Sequence, residues 1–558
     1  MGKQFYIKCA RCGHRPVYVA PIAACERCGH DWLDAEYDLD DVARAWRAEM
    51  ASRPSHSIWR YWELLPLKER DNIISMGEGD TPLLKAANLG LMLGHQHLYF
   101  KDERQGPTNS FKDRQASLAV SALKEAGITE VVVPSTGNVA ISYSAYCARA
   151  GIKLWAFLTS TVPADKMREV ALYGTQVIKV TSTYDHTKSV AAKFANHKGL
   201  FLDRGVRNIA AKESMKTLAF EIAEQLGLMM GEEKRAGWRA PDWYVQAVSG
   251  GLGPVGVWKG FRELYRMGLI SKVPKLAIIQ AAGCAPMVNS FKAGLEEAKD
   301  VADPHTCITT LATGSPGAVY PFLRKVVLDH GGVMESVSDE ETFRAMHVMA
   351  KMEGLSMEPA AATACAGVFK LLGQQIIKPD EVVVINISGH TFPVEKHLLG
   401  NDWARNVGNV EATALASASP APHEGLMTAL DRLDERVRKV VIIEDELDAA
   451  RLLHRILQAR GKYEIFEAHD GRAGLDAIRR EHPDLILLDL MIPELDGFTL
   501  LDIVRAEEEL RDVPVIVVTA KELTSAERRR LDGQVESLLQ KGSFMEEDLL
   551  DTILDALE

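Results

Sequence analysis

Short runs of β-branched residues alternate with longer helical stretches between about residue 57 and residue 400, and this alternation constrains the fold more than any other feature. The runs predict buried strands at Val131–Val133, Val177–Val180, Leu276–Ile279 and Val382–Ile385. Apolar residues with a helical period separate them, for example in Arg114–Ala126 and Phe261–Met267. This alternation predicts an open α/β architecture, whose ligands bind at the carboxyl ends of parallel strands.

Length, charge and hydropathy bound the class of protein. The chain has 558 residues, too many for one hydrophobic core, and about three or four domains are expected. Its formal net charge of −12 argues against a nucleic-acid-binding surface, which needs a basic patch. No apolar run approaches the roughly 20 residues that span a bilayer, and the first residues lack a signal-peptide pattern. We therefore expect a cytoplasmic protein without nucleic-acid or membrane partners.

Two CxxC knuckles lie near the N-terminus and contain Cys9, Cys12, Cys25 and Cys28. Each knuckle can aim two thiolates at one tetrahedral ion, and a glycine after each allows the backbone to turn beneath the metal. The spacing predicts a structural zinc, because four thiolates leave no open coordination position for catalysis. A redox dithiol pair or a lapsed site is the alternative.

Lys112 lies in the sequence PTNSFKDR, which spans Pro107–Arg114 and joins a loop to a helix. From such a junction its amine can reach into a cleft. A lysine that forms a Schiff base carries pyridoxal phosphate, PLP, an electron sink for amino-acid carbanions. Taken alone, the sequence is explained more simply by a surface lysine paired with Asp113, but three further sites fit the same cofactor.

The first of these sites is Pro134–Asn138, which follows a predicted strand and opens a helix. The backbone N–H groups and the hydroxyls of Ser135 and Thr136 suit a substrate carboxylate. The Asn138 amide can reach the phenolic oxygen of PLP.

The other two sites also follow predicted strands. The loop Ser249–Pro254 is rich in glycine, so successive N–H groups can converge on the cofactor phosphate. The residues that supply them are Gly250, Gly251, Leu252 and Gly253. At the end of the last strand, the neutral hydroxyl of Ser388 can hydrogen-bond the pyridine nitrogen without protonating it.

Residues from about Ile58 to Asp402 resemble threonine synthase, in the β-family or fold type II of PLP enzymes. The matching strings are Gly77–Leu83, Ser110–Arg114, Ser135–Asn138, Gly250–Gly253, Glu358–Ala360 and Ser388–His390. The Asp-Arg pair after the lysine favours threonine synthase over the related dehydratases. The cysteine segment is similar to the zinc ribbon of some threonine synthases.

The resemblance implies a role for each site residue. Lys112 is the Schiff-base lysine and general acid/base, Asn138 contacts the PLP oxygen, and Ser388 contacts the ring nitrogen. The glycine loop holds the cofactor phosphate. The implied reaction converts O-phosphohomoserine and water to threonine and phosphate.

One segment departs from the family. Threonine synthases carry an arginine for the substrate phosphate, and at that position within Asn208–Thr217 this chain has Ala211. Arginine binds phosphate with a bidentate fork that lysine does not reproduce. Either Lys212 or Arg207 substitutes for it, or the substrate carries no phosphate.

From Lys439 onward, three apolar runs each end in a polar side chain, as in a doubly wound sheet. The first run ends at Glu444 and Asp445, the second at Asp489 and the third at Thr519. Clustered carboxylates bind Mg²⁺, here Asp445 and Asp489, and a phosphoryl donor shares the metal.

This C-terminal region resembles a response-regulator receiver of five strands. The resemblance implies Asp489 as phosphoacceptor, supported by Glu444, Asp445, Thr519 and Lys541, the last pairing with the incoming phosphate. It also implies a histidine kinase or phosphotransfer protein as partner. A receiver-like fold that is never phosphorylated is the alternative. Gly542 and Leu538 depart from the receiver pattern at positions that serve its output.

The predicted organisation has four parts: a zinc-ribbon-like segment at 1–40, a PLP-dependent domain at 57–403, a linker and helix at 404–438, and a receiver at 439–558. We expect a homodimeric amino-acid lyase gated by receiver phosphorylation. A threonine/serine dehydratase or another amino-acid lyase is one alternative. The other is a two-component signalling protein that uses the PLP fold to sense a ligand.

Overall fold

The structure is a computed structural model. It describes residues 5–17, 24–54, 56–159, 162–230, 237–390 and 439–540, the last range with gaps at 448, 451–452, 455–456, 458–462, 520–522, 525–526, 528–529, 532–533 and 536. The predicted linker and helix at 404–438, a linker at Ala412–Pro422 followed by a helix at Leu426–Arg438, lie outside the described residues, as do Lys541 and Gly542. In the part of the chain described, no helix is both long enough and apolar enough to cross a bilayer.

The N-terminal segment is a small antiparallel hairpin followed by a helix. Strands β1 (Phe5–Cys9) and β2 (Leu33–Tyr37) pair so that Cys9 lies opposite Leu33. Helix α1 (Leu39–Glu49) begins where the Asp38 carboxylate accepts hydrogen bonds from two backbone N–H groups of the first turn. Short 3₁₀ turns follow at Met50–Ser52, Ile58–Leu64 and Arg70–Asn72.

A six-stranded sheet forms the centre of the larger α/β subdomain. Its strands are β3 (Leu83–Lys85), β4 (Leu98–Asp102), β9 (Trp243–Ala247), β10 (Lys275–Ala281), β11 (Val333–Val337) and β12 (Val383–Ile387). Their order is β11-β10-β9-β12-β4-β3, and only β3 at the edge runs antiparallel to its neighbour. The central strands are buried on both faces, which explains their continuous apolar runs.

A second, fully parallel sheet forms the smaller subdomain. Its strands are β5 (Glu130–Ser135), β6 (Lys153–Thr159), β7 (Gln176–Val180) and β8 (Phe201–Leu202), in the order β7-β6-β5-β8. Two open α/β subdomains are the arrangement expected from the sequence. Each predicted strand lies within an observed strand to within one residue at its ends.

Twelve further helices surround the two sheets in the described residues up to 390. They are α2 (Ala87–Met92), α3 (Lys112–Glu125), α4 (Asn138–Ala150), α5 (Ala164–Leu172), α6 (Tyr184–Lys198), α7 (Ile209–Ser214), α8 (Lys216–Met230), α9 (Leu252–Arg266), α10 (Pro286–Lys292), α11 (Val319–His330), α12 (Asp339–Glu353) and α13 (Pro359–Gly373). Helix α3 packs against α4 and α7 and is buried from Asp113 to Leu123, which fixes the position of Lys112 at its start.

The C-terminal region is a five-stranded parallel sheet, as predicted. Its strands are β13 (Lys439–Ile443), β14 (Glu464–Ala468), β15 (Leu485–Leu488), β16 (Val515–Thr519) and β17 (Ser537–Gln540), in the order β14-β13-β15-β16-β17. Helices α14 (Gly471–Glu481) and α15 (Gly497–Ala506) lie between strands in the chain.

Candidate active site and receiver site

The loop that carries Lys112 is paired with the loop that follows β12. The Phe111 N–H donates to the Ser388 carbonyl at 3.0 Å, and the His390 N–H donates to the Asn109 carbonyl at 2.9 Å. These bonds fix the start of α3 beside Ser388, although the two residues lie far apart in the chain. The first and last predicted cofactor motifs therefore meet at the end of one central strand.

Lys112 is the first residue of α3, and its amine lies in a largely desolvated position. Burial lowers the pKa of Lys112 to about 8, although the negative charge of Glu358 acts in the opposite direction. Desolvation disfavours the ammonium form, so more neutral amine is present near neutral pH than on a surface lysine. A neutral amine is the form that attacks an aldehyde to make an imine.

The glycine loop forms a cradle at the N-terminus of α9. Gly251 has φ +82°, and a Cβ there would come within 2.6 Å of Val319 Cγ1. A Cβ on Gly253 would collide with the amide of Gln246. The positive φ favours glycine at position 251 and the close approach of Gln246 favours it at position 253, and the N–H groups of this loop lie where a helix N-terminus favours an anion. This cradle fits the phosphate of PLP.

The loop after β5 is held by its own serine. Ser135 Oγ accepts hydrogen bonds from the N–H groups of Gly137 at 3.0 Å and Ala140 at 3.1 Å. The Ser135 hydroxyl thus stabilises the first turn of α4 and also lines the cavity. Gly137 has φ +140°, a conformation that favours glycine.

Asn138 joins the two subdomains through Glu358 at the start of α13. Its amide nitrogen donates to Glu358 Oε1 at 2.7 Å, and Lys166 Nζ donates to its amide oxygen at 3.3 Å. Lys166 also lies 3.7 Å from Glu358 Oε2, with both side chains buried. Sequence reasoning missed Lys166, because nothing in its local sequence on α5 signals that it approaches Asn138.

One cavity of about 520 Å³ lies between the two subdomains. The predicted residues that line it are Lys112, Ser135, Thr136, Gly250, Gly251, Leu252 and Gly253. Asn138 and Ser388 are buried and do not line the cavity themselves, but Asn138 precedes the lining residue Val139 and Ser388 is bonded to the lining residue Phe111. An amine, an anion cradle and hydroxyl-bearing loops around one cavity are the donor set that PLP requires.

Besides Lys112, three cationic side chains line the same cavity: Lys188, Arg204 and Arg207. Lys188 Nζ lies 2.5 Å from Asp185 Oδ1, and Arg207 lies 2.8 Å from Asp31 of the N-terminal segment. Sequence reasoning named Arg207 as a possible substitute for the missing arginine but missed Lys188 and Arg204. Their chemistry was visible in the sequence, but their approach to the glycine loop depends on how the subdomains pack.

Lys212 does not lie at this cavity. Its amine is 2.7 Å from Asp34 Oδ1 and donates to the Leu33 carbonyl at 2.8 Å, and its side chain is 1% exposed. The Asn208 side chain caps α7, and the helix then turns Lys212 toward β2. The structure therefore does not support the expectation that Lys212 meets a substrate phosphate.

The four N-terminal cysteines converge on one point. Their sulfur atoms all lie within 4.8 Å of one another. The Cys9 and Cys28 sulfurs are 3.6 Å apart, and those of Cys12 and Cys25 are 3.7 Å apart. A tetrahedral zinc with bonds of about 2.3 Å separates its sulfur ligands by about 3.8 Å. The cluster therefore fits one zinc ion.

The receiver residues meet at the carboxyl ends of adjacent strands. Carboxylate oxygens of Glu444, Asp445 and Asp489 lie within 4.8 Å of one another. The register aligns the ends of β13 and β15, and β16 extends two residues further, to Thr519. Glu444, Asp489 and Thr519 are buried, whereas Asp445 is exposed. The Met491 N–H donates to Asp489 Oδ1 at 3.1 Å and orients this carboxylate. Oxygen ligands in this arrangement suit Mg²⁺.

Comparison with known proteins agrees with this geometry. Residues 74–389 match the family model described as pyridoxal-phosphate dependent enzyme. The chain belongs to this family. Residues 440–554 match the response regulator receiver domain, so the enzyme region is followed by a receiver.

Curated relatives of the PLP-dependent region are threonine synthases. The one from Methanocaldococcus jannaschii is 34% identical over 69% of this chain and 91% of its own length. The one from Methanosarcina acetivorans is 31% identical over 69% of this chain and 91% of its own length. Among solved structures, threonine deaminase isoform 2 from Solanum lycopersicum matches with a TM-score of 0.48 and 19% identity, covering 63% of this chain and 90% of that one. The chain is thus a threonine synthase-like PLP enzyme with a C-terminal receiver.

Proposed function

We propose that the PLP-dependent region converts O-phosphohomoserine and water to threonine and phosphate. The observation that carries this proposal is the cavity that combines Lys112, the glycine cradle and cationic side chains. The cradle accounts for the cofactor phosphate. The cations Lys188, Arg204 and Arg207 therefore remain for a second anion, which is the substrate phosphate.

Each part of the cavity has a defined task in this proposal. PLP, when bound, supplies the electron sink that stabilises negative charge on the substrate carbons. Lys112 holds the cofactor and moves protons to and from those carbons. The backbone N–H groups near Ser135 and Thr136 bind the substrate carboxylate. Asn138, tied to Glu358, and Ser388, tied to the Lys112 loop, orient the cofactor ring.

A threonine or serine dehydratase is the second candidate. The observation in its favour is Ala211, which stands where threonine synthases place the arginine for the substrate phosphate. A hydroxy amino acid, however, carries no second anion for the three cations at the cavity. Arg204 and Arg207 can each form a bidentate contact with a phosphate, whereas a hydroxy amino acid offers no such contact, so the phosphorylated substrate is preferred.

A substrate panel tests this proposal. The purified protein loaded with PLP is incubated separately with O-phosphohomoserine, threonine and serine, and free phosphate, threonine and 2-oxo acids are quantified. We expect phosphate and threonine in equal amounts from the first substrate. The Lys112→Ala variant is the control and should form neither. A 2-oxo acid from threonine or serine, without phosphate release from O-phosphohomoserine, would replace this proposal by the dehydratase.

The other two sites complete the proposed organisation, with the boundaries 1–40, 57–403, 404–438 and 439–558 given by the sequence. We infer a structural zinc in the four-cysteine cluster and Mg²⁺ at Asp445 and Asp489. Asp489 accepts a phosphoryl group from a histidine kinase or phosphotransfer protein. Because the receiver is tethered to the enzyme, its effective concentration at the enzyme surface is high. The enzyme is therefore the protein whose activity the receiver regulates in this proposal.

A further inference from the structure

Gln115 lies one helical turn beyond Lys112 and faces the same cavity. Residues three apart share one face of a helix, and both side chains line the cavity between the subdomains. Gln115 is 2% exposed. Within the described part of the chain, its amide oxygen is buried and accepts no hydrogen bond. A buried acceptor of this kind is costly unless a ligand or an ordered water donates to it.

The neighbours of Gln115 determine which end of its amide is left without a hydrogen bond. The Tyr143 hydroxyl donates its hydrogen to Asp203 Oδ2 at 2.6 Å, so it can only accept from Gln115. The Gln115 amide nitrogen accordingly donates to this hydroxyl at 3.4 Å. Rotating the amide by a half-turn would set two acceptors against each other. The amide oxygen is therefore the end left for a ligand.

The same chain of bonds reaches the cationic side of the cavity. Asp203 Oδ1 accepts from the Gly205 N–H at 2.7 Å, and Asp203 Oδ2 accepts from the Asn208 side chain at 2.7 Å. These bonds hold the loop that carries Arg204 and Arg207. Gln115 thus shares one face of α3 with the proton-transferring amine and is bonded, through Tyr143 and Asp203, to the loop of the proposed phosphate subsite.

The reactants offer few donors for the Gln115 oxygen. The side chain of O-phosphohomoserine ends in a phosphate, which accepts hydrogen bonds, and its carboxylate also accepts. Its amino group is engaged by the cofactor. Water is the remaining reactant, and it has the O–H donor that this acceptor needs. We infer that Gln115 is a positioning residue that binds and orients the water added to the substrate β-carbon.

This inference rests on the proposed threonine synthase reaction, whose atoms balance as follows. The Cγ–O bond breaks, and phosphate leaves with the bonding electrons. Cβ loses one proton and Cγ gains one, while the water oxygen bonds to Cβ. The second water proton passes to the released phosphate. The net change is O-phosphohomoserine plus water to threonine plus hydrogen phosphate.

The test measures how the products divide. Without an oriented water at the β-carbon, the substrate that has lost phosphate leaves the enzyme as an unsaturated amino acid, which bulk water hydrolyses at its Cα–N bond to 2-oxobutanoate and ammonia. Gln115→Met keeps the length of the side chain but removes both polar ends, and we expect the ratio of threonine to phosphate to fall about tenfold. Gln115→Leu is a second variant without polar ends and should show the same fall. Gln374→Met, at an exposed position, is the matched control.

The outcomes separate this inference from the function on which it rests. Continued phosphate release by Gln115→Met, with 2-oxobutanoate in place of threonine, shows a folded enzyme that has lost water addition. Equal threonine and phosphate from Gln115→Met at an unchanged kcat would overturn the inference alone. If Gln115→Met is inactive, Gln115→Leu decides, and equal amounts of threonine and phosphate from that variant also overturn the inference. Absence of phosphate release by the wild type overturns the proposed function and this inference with it.

Discussion

Asp31 and Arg207 connect the cysteine segment to the catalytic cavity. Asp31 Oδ2 lies 2.8 Å from the Arg207 guanidinium, and the two side chains are 27% and 40% exposed. Asp31 follows Cys28 by three positions, whereas Arg207 lines the cavity. The N-terminal segment therefore contacts a residue that we assign to the substrate phosphate, and its integrity should influence substrate binding.

Arg207 and Asp31 give the first prediction. Arg207→Met should raise KM for O-phosphohomoserine about tenfold, because it removes one charge-assisted contact to phosphate from a partly exposed site. Asp31→Asn should raise KM by a smaller factor, because the arginine stays but is less well oriented. Steady-state kinetics check both, with the exposed Arg472→Met as control. An unchanged KM in Arg207→Met would remove this residue from the phosphate subsite.

Lys212 should matter for stability and not for substrate binding. Its amine is buried against Asp34 and the Leu33 carbonyl, away from the cavity. Lys212→Met should lower the free energy of unfolding by about 2 kcal/mol, because it leaves the partly exposed Asp34 carboxylate without its partner. Denaturant unfolding measures this loss, and KM should stay at the wild-type value. A large rise in KM without a loss of stability would restore Lys212 to the substrate site.

The four-cysteine cluster should hold about one zinc per chain, since four thiolates complete one tetrahedral shell. Cys9→Ser and Cys25→Ser should each lose the metal and lower the thermal midpoint, because the hairpin β1–β2 is held together at this point. Metal analysis by mass spectrometry checks this. Cys307→Ser, at an exposed cysteine outside the cluster, is the control and should keep its zinc. Equal zinc content in all variants would refute the site.

The lowered pKa of Lys112 predicts how cofactor loading depends on pH. Only the neutral amine forms the imine, and burial lowers the pKa of this amine to about 8. The neutral fraction, and with it the rate at which the apoprotein takes up PLP, should rise about tenfold between pH 7 and pH 9. The same linkage makes the apoprotein more stable as the pH rises from about 8 toward the ordinary value of 10.5, because the unfolded chain binds more protons in that window.

Glu358 supplies the control for this titration. Its negative charge raises the pKa of Lys112 against the effect of burial. Glu358→Gln should therefore move the midpoint of cofactor loading to lower pH. The visible absorbance of the bound cofactor follows the reaction, and free N-acetyl-lysine with PLP gives the reference for an amine of ordinary pKa. A midpoint near that of the free amine would contradict the desolvated position of Lys112.

Phosphorylation of Asp489 should alter catalysis. Asp489 lies with Glu444 and Asp445 in one carboxylate cluster, and a small phosphodonor with Mg²⁺ should label the wild type but not Asp489→Ala. The added charge draws Thr519 toward it and shifts the adjoining surface, so kcat or KM should change only where labelling occurs. Asp476→Ala, at an exposed carboxylate on α14, should behave as wild type. Labelling without any kinetic change would end the claim of regulation within the chain.

Local sequence was sufficient to predict the features that depend on backbone conformation or on residues close together in the chain. Strand ends are marked by apolar runs, and the glycines after β9 fit a positive φ at Gly251 and a close side-chain neighbour, Gln246, at Gly253. In each CxxC knuckle the two thiolates are only three residues apart, so a tight turn is enough to bring them together. For this reason the α/β fold, the PLP family and the receiver could all be predicted from sequence and were confirmed by comparison with known proteins.

Only the tertiary structure decided which side chains from distant segments share the cavity. Sequence spacing suggested Lys212 as a phosphate ligand, but α7 turns its amine toward Asp34 of the N-terminal segment. Lys188 shows the reverse case: nothing in its local sequence predicts that it lies at the cavity, but in the structure it lines it. The role inferred for Gln115 depends on Tyr143, because the Tyr143 hydroxyl donates its hydrogen to Asp203 and can only accept one from Gln115. A side chain's role follows from its partners, and those partners are fixed by packing between subdomains that no local pattern records.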